Sequence, residues 1–185
     1  FATDQEQPLM SILSVFHSSS PQLANKVLTH HEDIAATLAE EGVQFARLDH
    51  DLHIRPGSAE AQVREEAGGL IDMLMTTHGC QTLMLLNRDG DQPTEVDLRD
   101  EHVHDAVEVF AVVSGRGQIS LRLGEQVFAL LCEKGDVLVV PAQTRRWIDL
   151  GDTPFCLAVR LFGNEQGIRM TGDEQARQFA GMSEL

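Results

Sequence analysis

A chain of 185 residues, 42% of them hydrophobic, is long enough for one domain with a substantial core. Its formal net charge of −15 argues against binding to nucleic acid or to an anionic membrane, because phosphate contacts require clustered Lys and Arg. No apolar run approaches the roughly 20 residues of a membrane span, and no secretory signal is visible. The three cysteines fit buried thiols in the cytoplasm better than a disulfide framework.

The first half of the chain alternates between strand and helix patterns. Residues 11–16 have strand character. The sequence Thr29-His30-His31-Glu32 has the T-x-x-E spacing of a capping box, which predicts a helix that buries Ile34 and Leu38 and stops at Gly42. A short strand is predicted over 43–48.

A second helix is predicted from apolar residues at helical spacing, which are Val63, Ala67, Leu70 and Leu74, and it should end near Gly79. The first half is therefore expected to be an α/β segment that carries two helices.

The second half has the alternation and the Gly/Asp turns of short strands. A strand is expected in each of the segments 83–86, 107–113, 119–123, 127–132, 137–140, 147–150 and 155–162, and the polar tail after Gly163 is partly helical. Short strands at spacings of roughly 8–12 residues indicate an antiparallel sandwich or barrel.

One stretch has the pattern of a metal site. His102, His104 and Glu108 form H-x-H-x3-E, and on an extended strand residues of equal parity project from one face. Two imidazoles and one carboxylate with open positions are the ligand set of non-haem Fe(II) oxygenases. The pattern therefore predicts a metal site at this strand.

The same stretch, followed by Gly115, resembles the first cupin motif, and Gly135 to Pro141 resembles the start of the second. More specifically, the chain resembles the acireductone dioxygenase family. The resemblance runs from Met10 over nearly the whole chain, and it includes the segments 25–30, 127–134, 141–142, 147–151, 160–162 and 171–173. It implies a mainly β fold, a cupin double-stranded β-helix (jelly-roll) barrel with an N-terminal α/β appendage.

The resemblance also implies a site of three His and one Glu that binds Fe(II) or Ni(II), one ion per chain. His102, His104 and Glu108 match three of those positions. Arg146 stands where the fourth ligand, a His, is expected, and no His follows His104. A guanidinium stays protonated and has no lone pair for a metal.

Further differences from the family lie in the expected pocket. Phe110 stands where the family has an Arg that faces the substrate, whereas Arg160 is retained. Arg146 is expected to be catalytic, either anchoring an anionic substrate group or stabilising a peroxide-like anion. The expected substrate-binding residues are Arg160, Phe110, Trp147 and Gln143.

Three arrangements of the motif are open. The two His and the Glu hold a metal as a facial triad. Alternatively, Arg146 pairs with Glu108 and replaces the ion, so that metal is absent. In the third arrangement Gln143 substitutes as a ligand.

The expected function is O2-dependent C–C cleavage of an enediol-like or related small metabolite by a metal-dependent cupin oxidoreductase, with an altered substrate. The alternative is a cupin without redox metal that acts as an isomerase, a decarboxylase or a small-molecule binding protein. The expected partners are a small-molecule substrate and O2, with no nucleic acid or membrane, and the chain is a monomer or a homodimer.

We divide the chain into a leader or cloning remnant (1–9), an N-terminal α/β segment (10–94), the barrel core (95–163) and a C-terminal tail (164–185). Together they are expected to form one domain.

Overall fold

The computed structural model describes residues 10–90 and 98–182. The expected leader, the expected boundary at 94/95, and the last three residues of the tail lie outside the described residues, so this division of the chain stays a prediction. The described elements, in chain order, are β1 (Ile12–His17), β2 (Lys26–Leu28), α1 (His31–Glu40), β3 (Gln44–Arg47), α2 (Glu60–His78), β4 (Thr82–Asp89), β5 (His102–Val103), β6 (Glu108–Leu123), β7 (Gln126–Glu133), β8 (Asp136–Val140), β9 (Arg145–Asp149), β10 (Phe155–Phe162), β11 (Arg169–Met170) and a 3-10 helix (Gln175–Gln178).

The long strand β6 belongs to two sheets. Its first half pairs with β8 and β10, and β3 and β4 extend this sheet on either side. Its second half pairs with β7 and β9, and β1, β2, β5 and β11 complete the other sheet. Every pairing is antiparallel. The expectation of a mainly β, antiparallel architecture is confirmed.

The main core lies between the two sheets. Fully buried side chains from both of them, including Phe110, Leu121, Leu130 and Leu138, form one apolar cluster there. Leu13 of β1 belongs to the same cluster, so the N-terminal segment helps to fill the barrel. Burial of large apolar side chains of this kind contributes about 1.5–3 kcal/mol each.

The two helices pack as their apolar spacing predicts. α1 buries Ile34 and Leu38 in the main core. α2 covers the outer face of the first sheet, where Val63 and Leu74 join a cluster with Val159 of β10. The helix ends at Gly79, which adopts the left-handed conformation (φ 68°) that favours glycine at this position.

The expected capping box does not form at the start of α1. The residue at the N-cap is His30, one position after Thr29, and its side chain makes no capping hydrogen bond. The backbone N–H of Ile34 donates to the His30 carbonyl at 3.0 Å, which fixes the first turn. Glu32 and Asp33 in that turn stabilise it through the helix dipole instead.

The strands expected over 107–113 and 119–123 are one continuous strand, β6, so the separation expected between them is wrong. Gly115 has φ 74°, and a Cβ there would collide with the carbonyl oxygen of Phe155 on β10. The pairing of β6 with β10 shifts register between Leu157 and Ala158. The residue that the shift leaves unpaired is Val113, so a bulge at Val113 and the positive φ of Gly115 mark the point where the strand passes from one sheet into the other.

Of the helices in the described ranges, neither is both long and apolar enough to cross a membrane.

Candidate functional site

The H-x-H-x3-E residues do not lie on a single strand. β5 ends at Val103, residues 104–107 form an irregular link, and β6 begins at Glu108. The expectation of one extended strand with three ligands on one face is therefore wrong. The reason is that the chain crosses from one sheet to the other within the motif.

Glu108 is the centre of a buried polar cluster inside the barrel. It sits between β8 and β10, opposite Val140 and Phe162, and its side chain is 0% exposed. Its Oε1 accepts hydrogen bonds from Arg146 Nη1 at 2.7 Å and from Arg160 Nη2 at 2.9 Å. Its Oε2 accepts one from Arg160 Nε at 2.7 Å. Both oxygens are therefore occupied by guanidinium donors.

Arg146 reaches Glu108 from β9, where it pairs with His102 across the strands. Its other donors are bound by the backbone: Nε donates to the Thr144 carbonyl at 3.0 Å and Nη2 to the Pro141 carbonyl at 3.4 Å. The residue is 0% exposed. Three separate contacts thus hold the guanidinium in one place.

Arg160 continues the inward-facing row of β10 after Cys156 and Ala158. Besides its two bonds to Glu108, its Nη2 lies 2.9 Å from His102 Nε2. Its buried Nη1 has no hydrogen-bond partner among the described residues. Among the described residues of the cluster, this nitrogen is therefore available to donate to a further acceptor.

His102 is a neutral imidazole in this arrangement. Its Nδ1 lies 2.8 Å from the Asp100 carbonyl, so Nδ1 carries the proton and Nε2 accepts from Arg160. Burial first, and then the positive charge of Arg160, lower the pKa of His102 to about 4. The ring is therefore uncharged at neutral pH.

His104 stacks on Phe162, with ring centroids 4.2 Å apart. Its Nδ1 accepts the backbone N–H of Ala106 at 3.0 Å, and its Nε2 donates to the Gln166 carbonyl at 2.7 Å. Both ring nitrogens are thus used by the backbone of the adjoining loops.

The electrostatic balance of the cluster favours an ionised Glu108. Burial opposes ionisation and is the largest single influence on its pKa. The charges and hydrogen bonds of Arg160 and Arg146 together outweigh it and lower the pKa to about 2. Two guanidinium cations against one carboxylate leave one net positive charge in the barrel, a setting that attracts an anion.

The residues do not fit a divalent metal as they are arranged. A metal ligand must offer a lone pair, but those of His102 Nε2 and His104 Nδ1 each accept an N–H, and both Glu108 oxygens accept guanidinium donors. Within residues 10–90 and 98–182, no group of three or more His, Cys, Asp or Glu is placed to hold a metal ion.

Three other residues singled out in the sequence lie around this cluster but do not contact Glu108. Phe110 follows it inward along β6 and packs in the main core. Trp147 is on the opposite face of β9 from Arg146, packed against Phe179 of the tail. Gln143 is on the surface, where it bonds Asp105 and Arg169. Their roles as substrate-binding residues stay predictions.

Sequence reasoning missed two kinds of partner. The backbone carbonyls of Pro141, Thr144 and Gln166 carry no side-chain signal that could reveal them. The second is a neighbouring buried pair, Glu101 with Arg122 at 3.1 Å, to which Thr171 adds a hydrogen bond of 2.8 Å. Glu101 stands directly before His102 in the sequence, but its partner Arg122 lies on β6. The sequence alone therefore does not reveal the pair.

Comparison with known proteins shows a relationship over nearly the whole chain. Residues 27–169 match the model of the ARD/ARD' family. The acireductone dioxygenase of Pseudomonas syringae pv. tomato is 45% identical over 176 residues, which are 92% of this chain and 97% of that protein. The acireductone dioxygenases of Pseudomonas fluorescens and Pseudomonas aeruginosa are 44% and 41% identical over the same shares of each chain.

The fold is similar to a solved structure described as acireductone dioxygenase from Bacillus anthracis with a cadmium ion in its active centre. The TM-score is 0.67 at 20% identity, covering 85% of this chain and 95% of that one. This likeness confirms the cupin fold expected from the two motifs.

Proposed function

Because this chain belongs to the acireductone dioxygenase family of metal-dependent cupin dioxygenases, we propose that it is a diverged dioxygenase with an altered substrate. The reaction is O2-dependent C–C cleavage of an enediol-like or related small metabolite. Support for the reaction type comes from identities of 41–45% over 92% of the chain. The expectation of an enzyme of this type is confirmed at the level of the family.

Support for an altered substrate comes from the residues around Glu108. Arg146 brings a second guanidinium to this carboxylate, and Phe110 is an apolar group at a position where the family resemblance implies an Arg. The residues around Glu108 therefore offer different hydrogen-bond donors from those that the family resemblance implies, and such groups set specificity.

The observation that carries the proposed mode of binding is the unpartnered Nη1 of Arg160. This buried donor, beside a cluster with net positive charge, suits an oxygen atom of an anionic enediolate. Arg160 would bind and orient that oxygen, and Arg146 would add positive charge where an oxyanion develops. Neutral His102 holds Arg160 in position.

The electron balance of this reaction is met by its two reactants. The enediolate is electron-rich and supplies the electrons, O2 accepts them, the C–C bond breaks, and the oxygen atoms of O2 end in the products. The barrel excludes bulk water from the site, which strengthens the attraction between the guanidinium groups and an anion.

The Fe(II) or Ni(II) that the family resemblance implies would be held by His102, His104 and Glu108, and it would act as a template and Lewis acid. Their present hydrogen bonds leave these side chains unsuited to an ion. For that reason the binding roles above are given to Arg146 and Arg160 alone.

Oxygen uptake with small enediols tests this proposal. Reductic acid and dihydroxyfumarate serve as probes, each against its rate without protein. We expect uptake of one O2 per substrate consumed. Arg160→Met should reduce the rate by about 100-fold or more, because a positioned donor to an oxyanion is lost. Arg55→Met, at a side chain 73% exposed, is the matched control and should leave the rate unchanged.

A second candidate function is favoured by the three guanidinium hydrogen bonds to Glu108. The chain would then be a cupin without redox metal, acting as an isomerase, a decarboxylase or a small-molecule binding protein. O2 uptake equal to the uncatalysed rate would reject the dioxygenase proposal. In that case the same probes, followed by NMR for isomerisation, loss of CO2 or binding, distinguish these three activities.

We further propose a cytoplasmic location, supported by the three free cysteines, and a monomeric or homodimeric state. Light scattering coupled to size-exclusion chromatography distinguishes the two states.

A further inference from the structure

We infer that the Arg146 guanidinium takes the place of the divalent ion at Glu108, so that the folded chain takes up no metal at His102, His104 and Glu108. The inference concerns the same site as the proposed function, but it does not require that function, because it is a statement about which cation the carboxylate binds.

The first support is that Arg146 is built into this position. Its Nη1 bonds Glu108 at 2.7 Å, and its Nε and Nη2 are bound by the carbonyls of Thr144 and Pro141. Both carbonyls belong to the loop between β8 and β9, so the loop that precedes the strand fixes the position of the side chain. A guanidinium with each nitrogen bonded is a fixed part of the fold.

The second support is electrostatic. Two guanidinium cations already balance the single carboxylate and leave one positive charge. Because a guanidinium stays protonated in proteins, these charges cannot be removed to make room for a metal. A divalent ion bound beside them would meet two cations in a buried, weakly screened setting.

The third support is the use of the lone pairs. His102 Nε2 accepts from Arg160, and His104 Nδ1 accepts from the backbone N–H of Ala106. A metal would have to break these hydrogen bonds as well as those of Glu108, and each broken bond would leave a buried donor without an acceptor. The described arrangement therefore favours the internal cation over a bound ion.

Metal analysis of the purified protein tests the inference directly. After expression with added Fe, Ni and Co, the wild-type chain should contain less than about one-tenth equivalent of any of them, and added Ni(II) should not raise its melting temperature. About one equivalent of metal in the wild type, lost in Glu108→Gln, would overturn the inference.

The variant Arg146→His replaces the cation by an imidazole at the same strand position. We expect its Ni(II) affinity to rise at least about 10-fold, with a rise of roughly 5–10 °C in melting temperature at Ni(II) about 100-fold above Kd. The matched control is Arg145→His, at the neighbouring side chain that is 52% exposed, which should not gain affinity. If Arg146→His binds no more Ni(II) than this control, Arg146 is not what keeps the metal out, and the inference fails.

The measurements separate this inference from the proposed function. Oxygen uptake by metal-free protein supports both. Uptake that requires about one equivalent of bound metal supports the dioxygenase and overturns the metal replacement. Absence of both metal and uptake supports the replacement and rejects the dioxygenase.

Discussion

At the scale of single residues, Glu108 decides the character of the site. A carboxylate that is 0% exposed is costly unless it is paired, and Arg146 and Arg160 supply the pairing with three hydrogen bonds. The cost of burial and the gain from pairing are both large, so the net contribution of the cluster to stability is small. Removing one member, however, leaves the others buried without compensation.

We predict that Glu108→Gln destabilises the fold by about 3–5 kcal/mol, because two buried guanidinium groups would lose their shared counter-charge. Urea unfolding followed by circular dichroism measures this loss. Glu125→Gln, at a side chain 87% exposed, is the control and should change the free energy of unfolding by less than about 0.5 kcal/mol. Equal values for the two variants would contradict the pairing at Glu108.

Stability should decrease with falling pH in two ranges, one set by His102 and the other by Glu108. His102 has its pKa lowered from 6.5 to about 4, so between these values the unfolded chain binds the proton and the folded chain does not. Stability is therefore present above pH 6.5 and is lost as the pH falls towards 4. Glu108 has its pKa lowered from 4.5 to about 2, and its contribution is lost over that lower range.

Each part should amount to about 3.5 kcal/mol at most, since one pKa unit corresponds to about 1.4 kcal/mol. Urea unfolding across the acid range measures the slope. His102→Gln should flatten the upper part, and Glu108→Gln the lower part. A slope that is unchanged in both variants would mean that other groups carry the acid sensitivity.

At the scale of elements, β6 carries Glu108 and pairs with the two strands that carry its arginine partners, β9 and β10. Its first half carries Glu108 and Phe110 in the sheet with β10, and its second half pairs with β9, which carries Arg146. The bulge at Val113 and the positive φ of Gly115, two residues later, let one strand serve both sheets. The geometry of the cluster thus depends on a glycine seven positions from Glu108 in the sequence.

We predict that Gly115→Ala destabilises the fold by more than about 2 kcal/mol, because the new Cβ would meet the Phe155 carbonyl and the backbone has φ 74°. Gly124→Ala is the matched control: it has φ 64° in the turn after the same strand, with nothing within 4 Å of the added Cβ. It should cost only about 1 kcal/mol. Equal losses would show that conformation alone, without the collision, explains the effect.

At the scale of the whole molecule, the predicted segments share their cores. Leu13, Ile34 and Leu38 from the first part of the chain lie in the same apolar cluster as the barrel residues. Phe179 of the tail packs on Phe16 of β1 and on Trp147 of β9. No part of this packing can be removed without exposing apolar surface of another part, which favours a single cooperative unit.

We predict that thermal unfolding is one transition, with the same midpoint by circular dichroism and by fluorescence of Trp147, the single tryptophan of the chain. Phe179→Ala should lower this midpoint in both signals and shift the native Trp147 emission to longer wavelength, because the buried indole gains access to water. Separate midpoints for the two signals would contradict the one-domain interpretation.

Much of the fold was predictable because the spacing of apolar residues determines the positions of helices and strands. The spacing of Ile34 and Leu38 and of Val63, Ala67 and Leu74 located the buried faces of the helices, and β10 has the bounds that its apolar run predicted. The errors came where tertiary contacts overrode local signals. The run 114–117 separated two expected strands, but it continues β6, and Gly115 lies against the Phe155 carbonyl of β10.

The sequence by itself determined the family, the barrel and the fact that Arg146 stands in place of a ligand, because motifs and side-chain chemistry are local properties. Only the tertiary structure decided what surrounds Glu108. Arg146, Arg160 and His102 come from three different strands, and which groups share a buried carboxylate depends on how those strands pair. The H-x-H-x3-E motif alone suggested three ligands on one face, whereas in the folded chain His104 bonds the Gln166 carbonyl and guanidinium groups surround Glu108.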